Sequence, residues 1–420
     1  MTQHDSLLLG RENEAWQRLA QTVELPALVL DLDAFDRNTE KIRARAERVS
    51  KKLRPASKSI RCPGLIKRLF QRGGPSFQGL LTYSLSETLY LAECGFSDLL
   101  LAYPTLEPTL LPAAAERLRL QPSAITFMVD QLDHLQFLQD FWEKFKLPNP
   151  LSICVDLDLS YCPLGRHLGL HLGVQRSSIR SLADLESLLD LLPRFPGLRF
   201  RGLMGYEAQV AGLPDENPFS PLLNPAKKAI KSRSIRDITK RRAAAAAAVQ
   251  ARGLTLELFN GGGTGSLRSS GAEACLTEVT AGSGFYQSHL FDYYADNELE
   301  PALFIALRVT RRPDAEHITC QSGGFIASGE IAPEKAPIPV FPPGLQSLAT
   351  EGFGEVQTPF RVPKGTQIAL GSVILCRPAK AGEVTEHFSE ILALRRGAHG
   401  HPLEIVERFP TYRGLGKVFR

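Results

Sequence analysis

The sequence predicts an α/β protein: a closed (β/α)8 barrel of the TIM type followed by a β-rich C-terminal domain. Three observations carry this. From Leu25 onward, β-rich runs alternate with amphipathic helical runs, and that order makes a parallel sheet. Eight such runs occur before about Glu300, the number a closed barrel needs. Beyond that point short strands, frequent Pro and Gly and few helix signals mark a separate β domain. The expected organisation is an N-terminal helical extension (1–24), a barrel (25–298) and a C-terminal β domain (299–420).

The elements follow in order. Leu25–Leu32 reads as a strand, Arg37–Val49 as a helix, Leu53–Lys58 as the next strand, and a helix follows near Gly64–Gln71. Phe77–Thr82 gives a third strand. Ser84-Leu85-Ser86-Glu87 then has the spacing of a capping box before an apolar helical face. Further strands are predicted at Asp98–Tyr103, Ala124–Val129, Leu151–Asp158, Leu198–Tyr206 and Leu254–Asn260. In the C-terminal domain, strands are predicted at Ala302–Val309, Thr366–Cys376 and Ile391–Arg395.

Composition excludes several classes. With 43% hydrophobic and 22% charged residues the chain is ordinarily globular, and a net charge of +4 gives no reason to propose nucleic acid or an anionic membrane as partner. The seven cysteines are dispersed and never spaced Cys-x-x-Cys, which fits free thiols in a reducing compartment. Met1–Ala20 lacks a signal peptide's apolar stretch, and no run of about eighteen apolar residues occurs, so a cytoplasmic location is expected. The basic stretch within Pro225–Gly253, with Lys227, Lys228, Lys231, Arg233, Arg236, Lys240, Arg241 and Arg242 followed by six alanines, reads as a solvated barrel helix. No aromatics are interleaved there for base stacking.

Two features carry chemistry. Lys58 closes the second strand, where its chain reaches into a barrel mouth and its amine can condense with a carbonyl. A lone lysine after a strand is usually a solvated surface group. Far along the chain, Asn260-Gly261-Gly262-Gly263-Thr264-Gly265-Ser266 follows an apolar strand, and its glycines let backbone amides turn toward an anion, with Thr264 and Ser266 as hydroxyl donors. It is neither a nucleotide P-loop nor Gly-x-Gly-x-x-Gly. A second small-residue stretch, Thr280-Ala281-Gly282-Ser283-Gly284, closes the next short strand, and barrels grip one phosphate with such adjacent loops.

These residues, with Pro26–Asp33, Arg54-Pro55, Gly205-Tyr206-Glu207, Thr277–Gly284 and Lys380-Ala381-Gly382-Glu383, make the chain resemble the alanine-racemase-like, fold-type III pyridoxal-phosphate enzymes. Within them it looks closest to the D-threonine aldolase, D-serine dehydratase and amino acid deaminase/aldolase group. The resemblance implies that Lys58 is the Schiff-base lysine. Gly262, Gly263, Thr264 and Gly265 would hold the phosphate, with Gly282, Ser283 and Gly284 completing its shell. Tyr206 would line the cofactor pocket, the alternative being a core tyrosine with a bonded hydroxyl.

Two departures from the family pattern stand out. Where relatives have Arg-x-Gly-Val near the cofactor's phenolic oxygen, this chain reads His171-Leu172-Gly173-Val174, after an unusually long stretch Leu159–Leu170. His171 can donate a hydrogen bond there without assuring a positive charge. Where relatives carry a His-x-Cys metal pair, this chain places Pro378 and Lys380. Proline has no side-chain donor and lysine must first lose its proton, so no metal ligands are assigned. Glu383 and His387, four apart, read as a solvated or structural pair. Lys380 is the candidate substitute for the metal at the substrate's β-hydroxyl, given burial beside Arg377.

The resemblance implies a pyridoxal-phosphate lyase acting on a small β-hydroxy D-amino acid, by retro-aldol cleavage or β-elimination, and acting as a homodimer. A racemase and a non-catalytic cofactor-binding protein are the alternatives.

Overall fold

The computed structural model describes residues 13–163, 169, 171–396 and 403–419. Of the expected N-terminal extension, positions 1–12 lie outside them. The described residues form two compact units that interleave in sequence: those within 42–58 and 73–282, with Phe419, make one, while those within 13–41, Ser59–Arg72 and Ser283–Val418 make the other.

The first unit is a barrel. The strand β1 (Ala27–Asp31) precedes it in sequence, and the barrel itself consists of β2 (Lys52–Pro55), β3 (Leu80–Thr82), β4 (Leu99–Leu101), β5 (Ile125–Val129), β6 (Leu151–Asp156), β7 (Leu198–Gly205), β8 (Leu258–Gly261) and β9 (Glu278–Ala281). Their order is β2-β9-β8-β7-β6-β5-β4-β3, all parallel, and single bridges from Leu53 to Phe77 and Ala56 to Leu81 bring the ends together. β4, β5 and most of β6 are buried along their length, which is why they read as unbroken apolar runs rather than alternating ones. The period of two sorts their side chains. Leu100, Met128, Cys154, Met204 and Leu258 form one buried cluster. Their sequence neighbours Phe127, Ile153, Val155, Leu203 and Phe259 pack into another with Leu135, Phe141, Leu185 and Val249 of the helices.

The eight-strand count is right, but its membership differs by one. The run Leu25–Leu32, expected to open the barrel, is β1 of the other unit. The short strand β9, expected only as a prelude to its loop, supplies the eighth barrel position beside β2. An apolar pentapeptide such as Ala27–Asp31 satisfies any buried sheet, and periodicity does not name its partner.

The second unit is built on a mixed sheet that adds β10 (Leu303–Arg311), β11 (His317–Gln321), β12 (Ile338–Phe341), β13 (Gln346–Ser347), β14 (Gln357–Arg361), β15 (Val373–Arg377), β16 (Glu390–Arg396) and β17 (Leu403–Pro410). β1 lies between β10, antiparallel, and β16, parallel. The core includes Trp16, Val29, Phe304, Phe341, Leu375 and Leu392. The capping box holds with a shift: Ser84 Oγ accepts from Glu87 N, while the Glu87 carboxylate accepts from Tyr83 N, one residue upstream of the cap.

Candidate active site

The C-terminal rim of a parallel barrel collects whatever residue follows each strand. Lys58 sits on a one-turn helix, Ser57–Ser59, just past β2, and its Nζ donates to the Tyr103 hydroxyl at 3.0 Å. Tyr103 follows β4 by two residues. Tyr103 then joins Asp156, Asp158, Arg176, Met204 and Tyr206 in lining one cavity at the ends of β4, β6 and β7. The Arg176 guanidinium carbon is 5.7 Å from the centre of the Tyr103 ring, and Lys58 Nζ is also 5.7 Å from it.

Charge is distributed unevenly in this cavity. Burial, with Asp130 close by, pushes the Asp156 carboxyl up to about 8, only partly opposed by Arg176. Burial likewise pushes the Tyr206 phenol up to about 12. Burial would also raise Tyr103, but the Lys58 ammonium, with Arg176 in support, overrides it and holds the phenol below the usual tyrosine range.

The glycine loop leaves β8 directly. Gly262 has φ +90°, in the region that favours glycine, while Gly263 is extended and the turn Thr264–Ser266 leads into the short helix Leu267–Gly271. A Cβ on Gly263 would stand 3.3 Å from the Tyr206 ring and 3.0 Å from Ala211 Cβ, so the loop and the cavity share Tyr206 as a wall. Beneath the loop lies a buried carboxylate, Glu207. It accepts from Gly262 N at 3.2 Å, from Ser266 Oγ at 2.6 Å and from Ser270 Oγ, and it pairs with Arg242. Arg242 also reaches Glu273 at 2.5 Å and the Gly205 carbonyl at 2.6 Å. Burial would raise the Glu207 carboxyl, but Arg242 and the serine hydroxyls hold it below the ordinary range. Ser266 is therefore engaged with Glu207. Arg242, taken from sequence as part of a solvated helix face, is fully buried within Asn224–Ala251.

The second loop begins at Gly282, at the end of β9, and Ser283–Phe285 forms a single turn with Gly284 buried. Ser283 Oγ lies 3.4 Å from Ser59 Oγ, the residue after Lys58. Since β9 lies between β2 and β8, strand order alone sets Gly282 and Gly262–Gly265 on the rim beside Lys58.

His171 stands elsewhere. Its Nδ1 is 3.6 Å from Cys162 Sγ, its Nε2 is buried without a hydrogen-bond partner among the described residues, and it is not among the residues lining the cavity that holds Arg176. Lys380 follows β15 in the mixed-sheet unit. Its ammonium donates to the Ser328 carbonyl at 2.6 Å and to Ser328 Oγ at 3.3 Å, and it lies 3.5 Å from Glu383. Arg377, expected beside it, is engaged instead by Asp292 and the Gln287 carbonyl. Three acceptors around an ammonium suit a hydrogen-bond donor more than a base. Glu383 also accepts from Ser328 N and Oγ, both at 2.6 Å, and His387 packs edge-on against Phe325. Among the described residues no group of three or more His, Cys, Asp or Glu side chains is arranged to hold a metal ion.

Sequence reasoning missed Tyr103, Asp156, Arg176 and the Glu207–Arg242 pair. Tyr103 and Asp156 had a signal in the barrel rule itself, since each stands at or just past a strand end. Arg176 lies five residues beyond His171, and only its placement distinguishes the two.

The model for the alanine racemase N-terminal domain matches residues 30–289. The chain is 25% identical to a D-threonine aldolase of Arthrobacter sp. over 387 residues, 89% of this chain and 90% of that protein. Among solved structures, D-threonine aldolase from Filomicrobium marinum superposes with a TM-score of 0.78 at 22% identity, over 96% of this chain and 97% of that one. D-threo-3-hydroxyaspartate dehydratase from Delftia sp. HT23 gives 0.70 at 18% identity, over 93% and 98%. These likenesses of structure show the fold.

Proposed function

The chain belongs to the alanine racemase N-terminal domain family, and from that premise we propose that it is a pyridoxal-phosphate-dependent lyase of small β-hydroxy D-amino acids. The observation that carries the reading is Lys58 on a barrel rim that also bears two small-residue loops and an aromatic, cationic cavity. The donor set fits the cofactor. Lys58 offers an amine for an aldehyde, the glycine loop, one member of which would crowd Tyr206 if it carried a Cβ, offers backbone amides for an anion, and Arg176 offers a cation for a phenolic oxygen.

When bound, pyridoxal phosphate supplies an electron sink for negative charge at the substrate's Cα. The chain's own residues do the rest. Lys58 Nζ is the attachment point and, once displaced, a base within reach of Cα. Gly262–Gly265 and Gly282 would hold the phosphate, with Glu207 and Arg242 holding the first loop from below. Tyr206 walls the ring's pocket. The likeness to aldolases and to a dehydratase supports either cleavage of Cα–Cβ or loss of the β-hydroxyl.

The test is product identification after incubating protein and cofactor with D- and L-threonine, D- and L-serine and 3-hydroxyaspartate. Glycine with an aldehyde, or an oxo acid with ammonia, is expected from the D-isomers. The mirror-image amino acid as the sole product, or no turnover at all, would overturn the reading.

A further inference from the structure

We propose that Tyr103 is a catalytic residue that shares a proton with Lys58 and so governs when the Lys58 amine is free to form its covalent bond, a proposal resting on the role given to Lys58 above. The geometry is direct: the phenol oxygen accepts from Lys58 Nζ at 3.0 Å, and Arg176 lies on the same ring at 5.7 Å from its centre. The phenol lies two residues past a paired strand. β4 is paired on both sides, and Ala102, immediately before Tyr103, donates its N–H to the Thr82 carbonyl at 2.9 Å.

The ionisable groups facing Tyr103 are Lys58, Arg176, Asp156, Asp158 and Tyr206. Two are cations. The nearer acid, Asp156, keeps its proton up to about 8 and so does not cancel them at neutral pH. Burial alone would raise the phenol, yet the adjacent Lys58 charge draws it below the ordinary range.

The step balances simply. When the phenol is ionised, the Lys58 ammonium gives one proton to the Tyr103 oxygen, leaving a neutral amine and a neutral phenol. With the cofactor bound, the amine would replace the C=O bond of its aldehyde carbon by a C=N bond, the oxygen leaving as water with the two protons that the nitrogen sheds. Without the Tyr103 oxygen, the ammonium has no neighbouring phenolate to take its proton and must give it to solvent.

The experiment compares full-length wild type, Tyr103→Phe and Arg176→Gln, each freed of cofactor. Ultraviolet titration of the wild type should show one phenol ionising below about 10, the usual tyrosine value, and Tyr103→Phe should lack it. Arg176→Gln should keep that phenol but move its titration upward. On mixing with pyridoxal phosphate, Tyr103→Phe should capture it at neutral pH at least about tenfold more slowly. The final amplitude should be unchanged, and the deficit should close at alkaline pH as Lys58 loses its proton unaided. Identical titration curves, or an identical pH dependence of capture, would overturn the proposal. Should Tyr103→Phe not fold, the Arg176→Gln shift decides. If wild type bonds no pyridoxal phosphate at Lys58, the functional reading fails, while the phenol titration still decides whether the pair shares a proton.

Discussion

Asp156 ends β6 with its carboxyl in the cavity, and burial beside Asp130 keeps the proton on up to about 8 where an ordinary aspartate releases it near 3.8. Between those values the folded protein binds a proton that the unfolded chain has lost, so stability falls as pH rises through the window. Asp156→Asn removes this penalty. In cofactor-free protein its denaturation midpoint should gain on the wild type from acid to mildly alkaline pH, and a constant gap would mean that Asp156 ionises normally. At Lys58 the expectation is sharper. Lys58→Ala should abolish the borohydride-reducible bond to pyridoxal phosphate, and a mutant that still carries the cofactor covalently would move the attachment to another lysine.

Two elements hold the glycine loop, and they divide the work between backbone and side chain. Gly262, with its positive φ, carries the conformational demand, whereas extended Gly263 carries the steric one. Gly263→Val should therefore weaken cofactor binding by pushing the Tyr206 ring, with little effect on the denaturation midpoint. Unchanged cofactor affinity in a binding titration would remove the phosphate role from this loop. The helix Asn224–Ala251 braces the loop through a single buried arginine. Arg242→Met strands the Glu207 carboxylate in the core and should cost about 3–5 kcal/mol in chemical denaturation. On the exposed face of the same helix, Arg236→Met should fall within about 0.5 kcal/mol of wild type. Equal effects at the two positions would make the buried pair dispensable.

At the scale of the whole molecule, the mixed-sheet unit bears the segment where the family resemblance implies a His-x-Cys metal pair. Pro378 and Lys380 offer no donor suited to a divalent ion, and Lys380 is engaged with Ser328 and Glu383. Turnover should therefore survive prolonged treatment with a chelator. Loss of activity with chelator and recovery on adding manganese or zinc would reopen the assignment of this segment. Among the described residues, no helix is long and apolar enough to cross a membrane.

The sequence by itself determined the things that depend on short-range pattern. Unbroken apolar runs spaced by helices demanded a parallel barrel, the change after Glu300 demanded a second sheet, and Lys58 with Gly262–Gly265 could be picked out because residues just past parallel strands share one rim. What only the tertiary structure decided was partnership. Ala27–Asp31 is as apolar as any barrel strand, and pairing with β10 and β16 rather than β2 depends on contacts more than two hundred and fifty residues away. Arg242 is one of eight basic residues in a stretch with no distinguishing neighbour, and it becomes a buried brace because Glu207 and Glu273 converge on it from other segments. Tyr103 is likewise unremarked in sequence, forty-five positions from Lys58, until barrel closure brings its hydroxyl to the amine. Periodicity reports which face of an element is buried, whereas the identity of what covers that face is a property of the folded chain.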